Sequence, residues 1–129
     1  MEIRVKRVYE APGDEDGIRV LVDRLWPRGL SKEKARVDLW VKGLAPSEQL
    51  RKRFHKDGDF ASFAEDYRNE VNPRALEELL EKTGNGPVTL LYASKNKAEN
   101  NAQVLKQLLK ECASRRLSDA AGGDQNRNQ

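Results

Sequence analysis

The run Val88-Thr89-Leu90-Leu91-Tyr92-Ala93 limits the possible folds more than any other stretch of this chain. It holds no charge, is rich in branched and aromatic side chains, and follows the turn signal Asn85-Gly86-Pro87, which together read as a buried strand. A two-residue loop, Ser94-Lys95, then leads to Ala98, Ala102, Leu105, Leu108, Leu109 and Cys112, spaced as one stripe of a helix. Asn96 with Glu99 three residues later has the form of a capping box and sets the expected start of that helix. A buried strand leading straight into an amphipathic helix is a unit of α/β architecture.

The remaining segments extend that picture. Ile18-Arg19-Val20-Leu21-Val22 is a second dense β-branched run and reads as a central strand. Ile3, Val5 and Val8 mark a half-exposed first strand, with Arg4 and Lys6 on its other face, able to pair with the second through the loop Ala11 to Gly17. Val37 to Val41 alternates as a short strand, and Ser31 caps a short helix ahead of it. Pro46-Ser47 opens a helix to about His55, with Leu50 and Phe54 inward. After the break at Asp57-Gly58-Asp59, Phe60, Phe63, Ala64, Tyr67 and Val71 follow a helical period. Asn72-Pro73 starts another helix that Gly84 ends.

The expected fold is a single α/β domain over residues 1–116, three-layer-like, with a small mostly parallel or mixed sheet of about three to five strands flanked by helices. Residues 117–129, polar and glycine-containing, read as a disordered tail. With 129 residues the chain has room for one core, and charged residues make up 35% of it, so few apolar side chains are spare. No apolar run reaches the roughly 20 residues of a membrane helix and the N-terminus lacks a signal-peptide core, so a cytoplasmic protein with no membrane association is expected. One cysteine, Cys112, and one histidine, His55, exclude an internal disulfide and a structural zinc site of the usual kind. No cofactor motif is present in the sequence.

Asp23-Arg24-Leu25-Trp26-Pro27-Arg28-Gly29-Leu30 puts two guanidiniums, a carboxylate and an indole directly after the second strand. Pro27 stops ladder pairing near Leu25 and Gly29 permits a tight turn. Residues 24–56 hold ten basic and three acidic residues, a net of +7, which leaves −4 for the rest of a chain whose total is +3. Arg24 and Arg28 suit paired hydrogen bonds to a phosphate or carboxylate, the alternative for Arg24 being a structural pair with Asp23 or another acid. Trp26 can cover such a ligand, although an indole more often supplies buried core area. Arg51 and His55 lie one turn apart on the helix after Ser47, where Arg51 can orient an anion and His55 can exchange protons near neutral pH. His55 is the weak catalytic candidate, since a histidine near a helix C-terminus also serves the dipole without any chemistry. Tyr92 and Lys95 complete the candidate set, because ligands of open α/β sheets sit beyond the carboxyl ends of strands. If the strands ending at Asp23 and Ala93 are parallel neighbours, their polar ends meet.

Three stretches, Asp23 to Leu30, Trp40-Val41-Lys42-Gly43-Leu44-Ala45-Pro46-Ser47 and Leu90-Leu91-Tyr92-Ala93, resemble the YeaO-like proteins, domain of unknown function 488. The resemblance spans roughly Ile3 to Cys112 and implies a small cytoplasmic α/β protein, with no catalytic residues to transfer. Members often carry an Asp and histidines near the start of the last helix, where this chain has Asn96, Glu99, Asn100 and Asn101. The functional expectation is an uncharacterised protein that binds a small anionic ligand through Arg24, Trp26, Arg28, Arg51, Tyr92 and Lys95. The alternatives are a nucleic-acid-binding accessory protein using the basic 24–56 segment and a protein-interaction module. Catalytic activity and oligomeric state stay open.

Overall fold

The two apolar runs form the two interior strands of one sheet. The computed structural model describes the backbone over residues 2–127 and side-chain surroundings over residues 2–117. Strands β1 (Ile3–Arg7), β2 (Ile18–Leu21), β3 (Leu39–Trp40) and β4 (Val88–Tyr92) are parallel throughout and stand in the order β1-β4-β2-β3. Every residue of β4 is buried, as an interior parallel strand covered on both faces requires.

The expected pairing of β1 with β2 does not occur, because β4 lies between them. Parallel strands cannot be joined by a tight hairpin, so the segment between β1 and β2 carries the chain past one strand position, and the most apolar run fills that gap. Gly17, which precedes β2, has φ +65°, and a Cβ there would sit 2.1 Å from the Pro87 carbonyl oxygen. Only glycine allows this approach, which lets the Ile18 N–H donate to the same oxygen at 3.0 Å.

One face of the sheet carries the main core, in which Phe63, Tyr67, Leu76, Leu79, Leu80, Leu105 and Leu109 meet Val20, Leu90 and Tyr92. Its helices are α2 (Glu48–Asp57), α3 (Phe60–Glu70), α4 (Pro73–Thr83) and α5 (Asn101–Arg127). Their starts follow the expected chemistry: the side chains of Ser47, Asp59 and Asn72 accept first-turn N–H groups, and Gly58 closes α2 at φ 65°. The other face is smaller. Val8, Leu21, Ala35 and Leu91 are buried there under Trp26, Leu30, Val37 and Ala93, with the short helix α1 (Lys32–Ala35) capped by Ser31.

The last helix begins later than the expected box at Asn96. Asn96 Oδ1 accepts from the N–H groups of Ala98 and Glu99 in a local turn, while Asn100 Oδ1 accepts from Gln103 N–H and is the functioning cap. Two asparagines compete, and the second is buried with its amide also bonded to Asn96 and Lys97 carbonyls, so the helix starts at Asn101 and Ala98 is left exposed. Helical backbone runs to Arg127, and the last buried side chain among the described residues is Cys112. Of the tail expected at 117–129, Asn128 and Gln129 lie outside the described residues.

At the N-terminal end of the strands a charged network closes the molecule. Asp16 and Arg19 are each 4% exposed and form a salt bridge of 2.5 Å. Arg19 also donates to the carbonyls of Ala35 and Arg36, and Asp16 accepts from Lys6 and from Gly13 N–H. Arg36 adopts a left-handed conformation at φ 47° to present that carbonyl, a strain the guanidinium contact offsets.

Candidate functional site

At the opposite end, β2 and β4 finish side by side and their continuations separate. The chain leaving β2 runs to Trp26, Leu30 and α1 over the small face, whereas the chain leaving β4 runs to α5 on the main core. Adjacent parallel strands whose connections depart to opposite faces leave a crevice beyond their carboxyl ends. A cavity of about 670 Å³ opens at this point, a size that suits a small organic ligand.

Asp23 is the residue that joins its walls. One carboxylate oxygen accepts from Ala93 N–H at 2.8 Å and the other from the Asn101 amide at 3.1 Å. The polar ends of β2 and β4 therefore meet, as their neighbourhood implied. The bond to Ala93 also explains why regular pairing ends at Leu21, with one further contact from Val22 N–H to Leu91, rather than near Leu25: the side chain takes the next backbone donor. Burial raises the Asp23 carboxyl above its ordinary range, with the Ala93 and Asn101 hydrogen bonds and the charge of Arg51 pulling it partly back. The Asn101 amide also donates to the Val22 carbonyl at 3.0 Å, so the first residue of α5 is fixed to the end of β2.

The octet turns sharply over this floor. Leu30 N–H closes on the Pro27 carbonyl with Gly29 at φ +75°, a conformation that places Arg24 and Arg28 on the cavity and buries Pro27. Trp26 donates its indole N–H to the Leu30 carbonyl at 2.6 Å and meets Trp40 edge-on at 5.4 Å, so its ring is held rigidly along the cavity. Tyr9 reaches across from β1 and donates to the Arg28 carbonyl at 2.8 Å. From α2 come Arg51, Phe54 and His55, and Phe54 stacks on Phe63 at 4.7 Å to make an apolar back wall. Behind it Tyr67, fully buried, donates to the Leu44 carbonyl, and burial pushes its phenol well above the ordinary value.

Arg24, Trp26, Arg28, Arg51 and His55 thus share one concavity, although 23 residues separate Arg28 from Arg51 in the chain. Among the described residues none of the three arginines forms a salt bridge. Tyr92 and Lys95 do not join them. Tyr92 points with Val88 and Leu90 into the main core, because alternate strand residues share a face, and Lys95 is exposed on the loop outside the cavity. Sequence reasoning missed Asp23, Tyr9, Asn100 and Asn101 as lining groups, and also Glu99 and Glu48, which add acidic groups to the walls. The one available signal was Asp23 itself, a carboxylate at the end of a buried strand.

Comparison with known proteins gives a consistent family. The chain is 43% identical over 116 residues to the uncharacterized protein YeaO of Escherichia coli K12, covering 85% of this chain and 98% of that protein. It is 45% identical over 109 residues to the uncharacterized protein Rv3073c of Mycobacterium tuberculosis H37Rv, covering 83% and 92%. No solved structure matches. The family model described as the inactive DUF488-N3 subclade matches residues 2–126, and with the YeaO likeness it establishes that the chain belongs to this YeaO-like branch of the domain of unknown function 488.

Proposed function

We propose that the cavity at the ends of β2 and β4 binds a small molecule bearing a carboxylate or phosphate, and that it does so as a binding site rather than a catalytic one. The observation that carries this reading is the convergence of Arg24, Arg28 and Arg51 on one cavity without a salt-bridge partner among the described residues. Arg24, Arg28 and Arg51 are exposed at the rim of a recess whose inner wall includes Trp26, Phe54 and Phe63, so their guanidiniums are free to form charge-assisted bonds to an anion that enters it. Binding without turnover agrees with the family's description as inactive and with the neutral carboxamides of Asn96, Asn100 and Asn101 on the cavity wall. A cytoplasmic location belongs to the same proposal; among the described residues no helix is long and apolar enough to cross a membrane.

The nucleic-acid reading draws less support. Several basic residues of the 24–56 segment are engaged within the molecule: Arg53 with Asp66, Lys52 with Glu48, and Lys42 over the Trp40 ring. Calorimetric titration with benzoate and with inorganic phosphate tests the proposal. Saturable binding that weakens about tenfold on Arg51→Ala, the loss of one charge-assisted hydrogen bond, is the expected result. Heats unchanged by the Arg24, Arg28 and Arg51 alanine variants would remove it.

A further inference from the structure

Resting on that reading, we infer that the ligand is amphoteric: an acid group at one end, an amine at the other, and an aromatic body between them. The inference comes from how charge is divided around the cavity. Its cationic groups come from two elements, the octet with Arg24 and Arg28, and α2 with Arg51. The loop from Ala93 to Asn100 forms a separate wall with no cation, since its two lysines, Lys95 and Lys97, are not among the lining residues. Lys97 lies instead 3.9 Å from Glu10.

That second wall presents one carboxylate, Glu99, together with Ser94 and the amides of Asn96 and Asn100. The Glu99 carboxylate has no salt bridge or hydrogen bond to its side chain among the described residues. Glu48, by contrast, is already paired with Lys52, and both oxygens of Asp23 hold donors. Glu99 is exposed and solvated by water, so a simple anion seated on the arginines gains nothing from it and meets its like charge across the cavity. A ligand with an ammonium at its far end satisfies both walls, and its middle rests on Trp26 and Phe54. A cavity of about 670 Å³ has room for such a three-part molecule.

Three probes of one skeleton separate the possibilities: 4-(aminomethyl)benzoate, 4-methylbenzoate and benzylamine, titrated into the full chain by calorimetry. The expected order places 4-(aminomethyl)benzoate first, about tenfold tighter than 4-methylbenzoate, the size of one added charge-assisted bond. Glu99→Gln should reduce that preference to about twofold or less, as expected when a charged acceptor becomes a neutral one. The same variant, freed of the like charge, should bind 4-methylbenzoate more tightly than the unaltered protein does, a rise that loss of folding cannot produce. Equal or tighter binding of 4-methylbenzoate to the unaltered protein overturns the amphoteric ligand and leaves the anion site standing. A preference that survives Glu99→Gln also overturns it. Absence of binding by both carboxylates and by phosphate overturns both readings.

Discussion

The two ends of the sheet treat charge in opposite ways. At the N-terminal end Asp16, Arg19 and Lys6 satisfy one another and the nearby backbone, and nothing is left over for a ligand. At the C-terminal end three arginines line an open recess and pair with nothing among the described residues. The same residue types therefore hold the fold together at one end and stand available at the other, and burial with complete partnering distinguishes the two. Charge count alone does not: Lys6 and Arg19 at one end are as cationic as Arg24, Arg28 and Arg51 at the other, and among the described residues only the former meet a carboxylate.

The strongest way to break this contrast is Arg19→Ala. It strips Asp16 of its closest counter-charge inside the protein, and the expected loss is about 3 kcal/mol or more of unfolding free energy, measured by urea denaturation. Arg24→Ala, Arg28→Ala and Arg51→Ala should each change stability by only about 0.5 kcal/mol, as exposed substitutions do. If an arginine of the cavity proved as destabilising as Arg19, the division between structural and available charge would fail. Between these extremes stands Tyr67→Phe, which leaves the Leu44 carbonyl unpaired behind the cavity and should lose about 1–3 kcal/mol in the same measurement.

Acidity sharpens the comparison, because the two buried-end carboxylates respond with opposite sign. Burial by itself would raise Asp16, but hydrogen bonds from Gly13, Lys6 and Arg19 outweigh it and hold the group below its ordinary value. Asp16 therefore stabilises the fold above the unfolded carboxylate range, and this stabilisation is lost as pH falls through its lowered pKa. Asp23 is raised, so the folded state keeps its proton longer than the unfolded chain; its contribution is fullest below the ordinary value and is lost as pH rises through the folded one. In stability profiles between about pH 2 and 6, a range set by ordinary carboxylate pKa values, Asp16→Asn should flatten the acid-side decline. Asp23→Asn should remove an opposing slope. Parallel profiles for the two variants would contradict the assignment. The smallest effect is expected at the far end of α5: a chain ending at Arg116 should keep its stability within about 0.5 kcal/mol, because the removed stretch is polar and contains Gly122 and Gly123.

Local chemistry was legible in the sequence. Ser47, Asp59 and Asn72 cap helices in the structure because an N-cap needs only a side-chain oxygen and the next two or three residues. Both interior strands were visible for a similar reason, as short dense apolar runs. Their order was not, since placing β4 between β1 and β2 depends on contacts between residues about 70 to 85 apart, such as Ile18 with Val88, which no local pattern encodes. The start of α5 was misread because Asn96 and Asn100 offer the same capping chemistry and only burial of the second decides between them. At the site, the arginines stood out through their charge. Asp23 did not, because its partners, Ala93 and Asn101, lie 70 and 78 residues away.

The rigid pairing of Trp26 with Trp40 has a practical consequence. These are the chain's only two tryptophans, one on the cavity wall and the other in edge contact with it, so the indole emission of the protein, excited apart from its tyrosines, originates from this single region. The molecule carries its own optical reporter. A ligand that displaces water from the Trp26 ring will alter the colour and intensity of that light, and no other indole dilutes the signal.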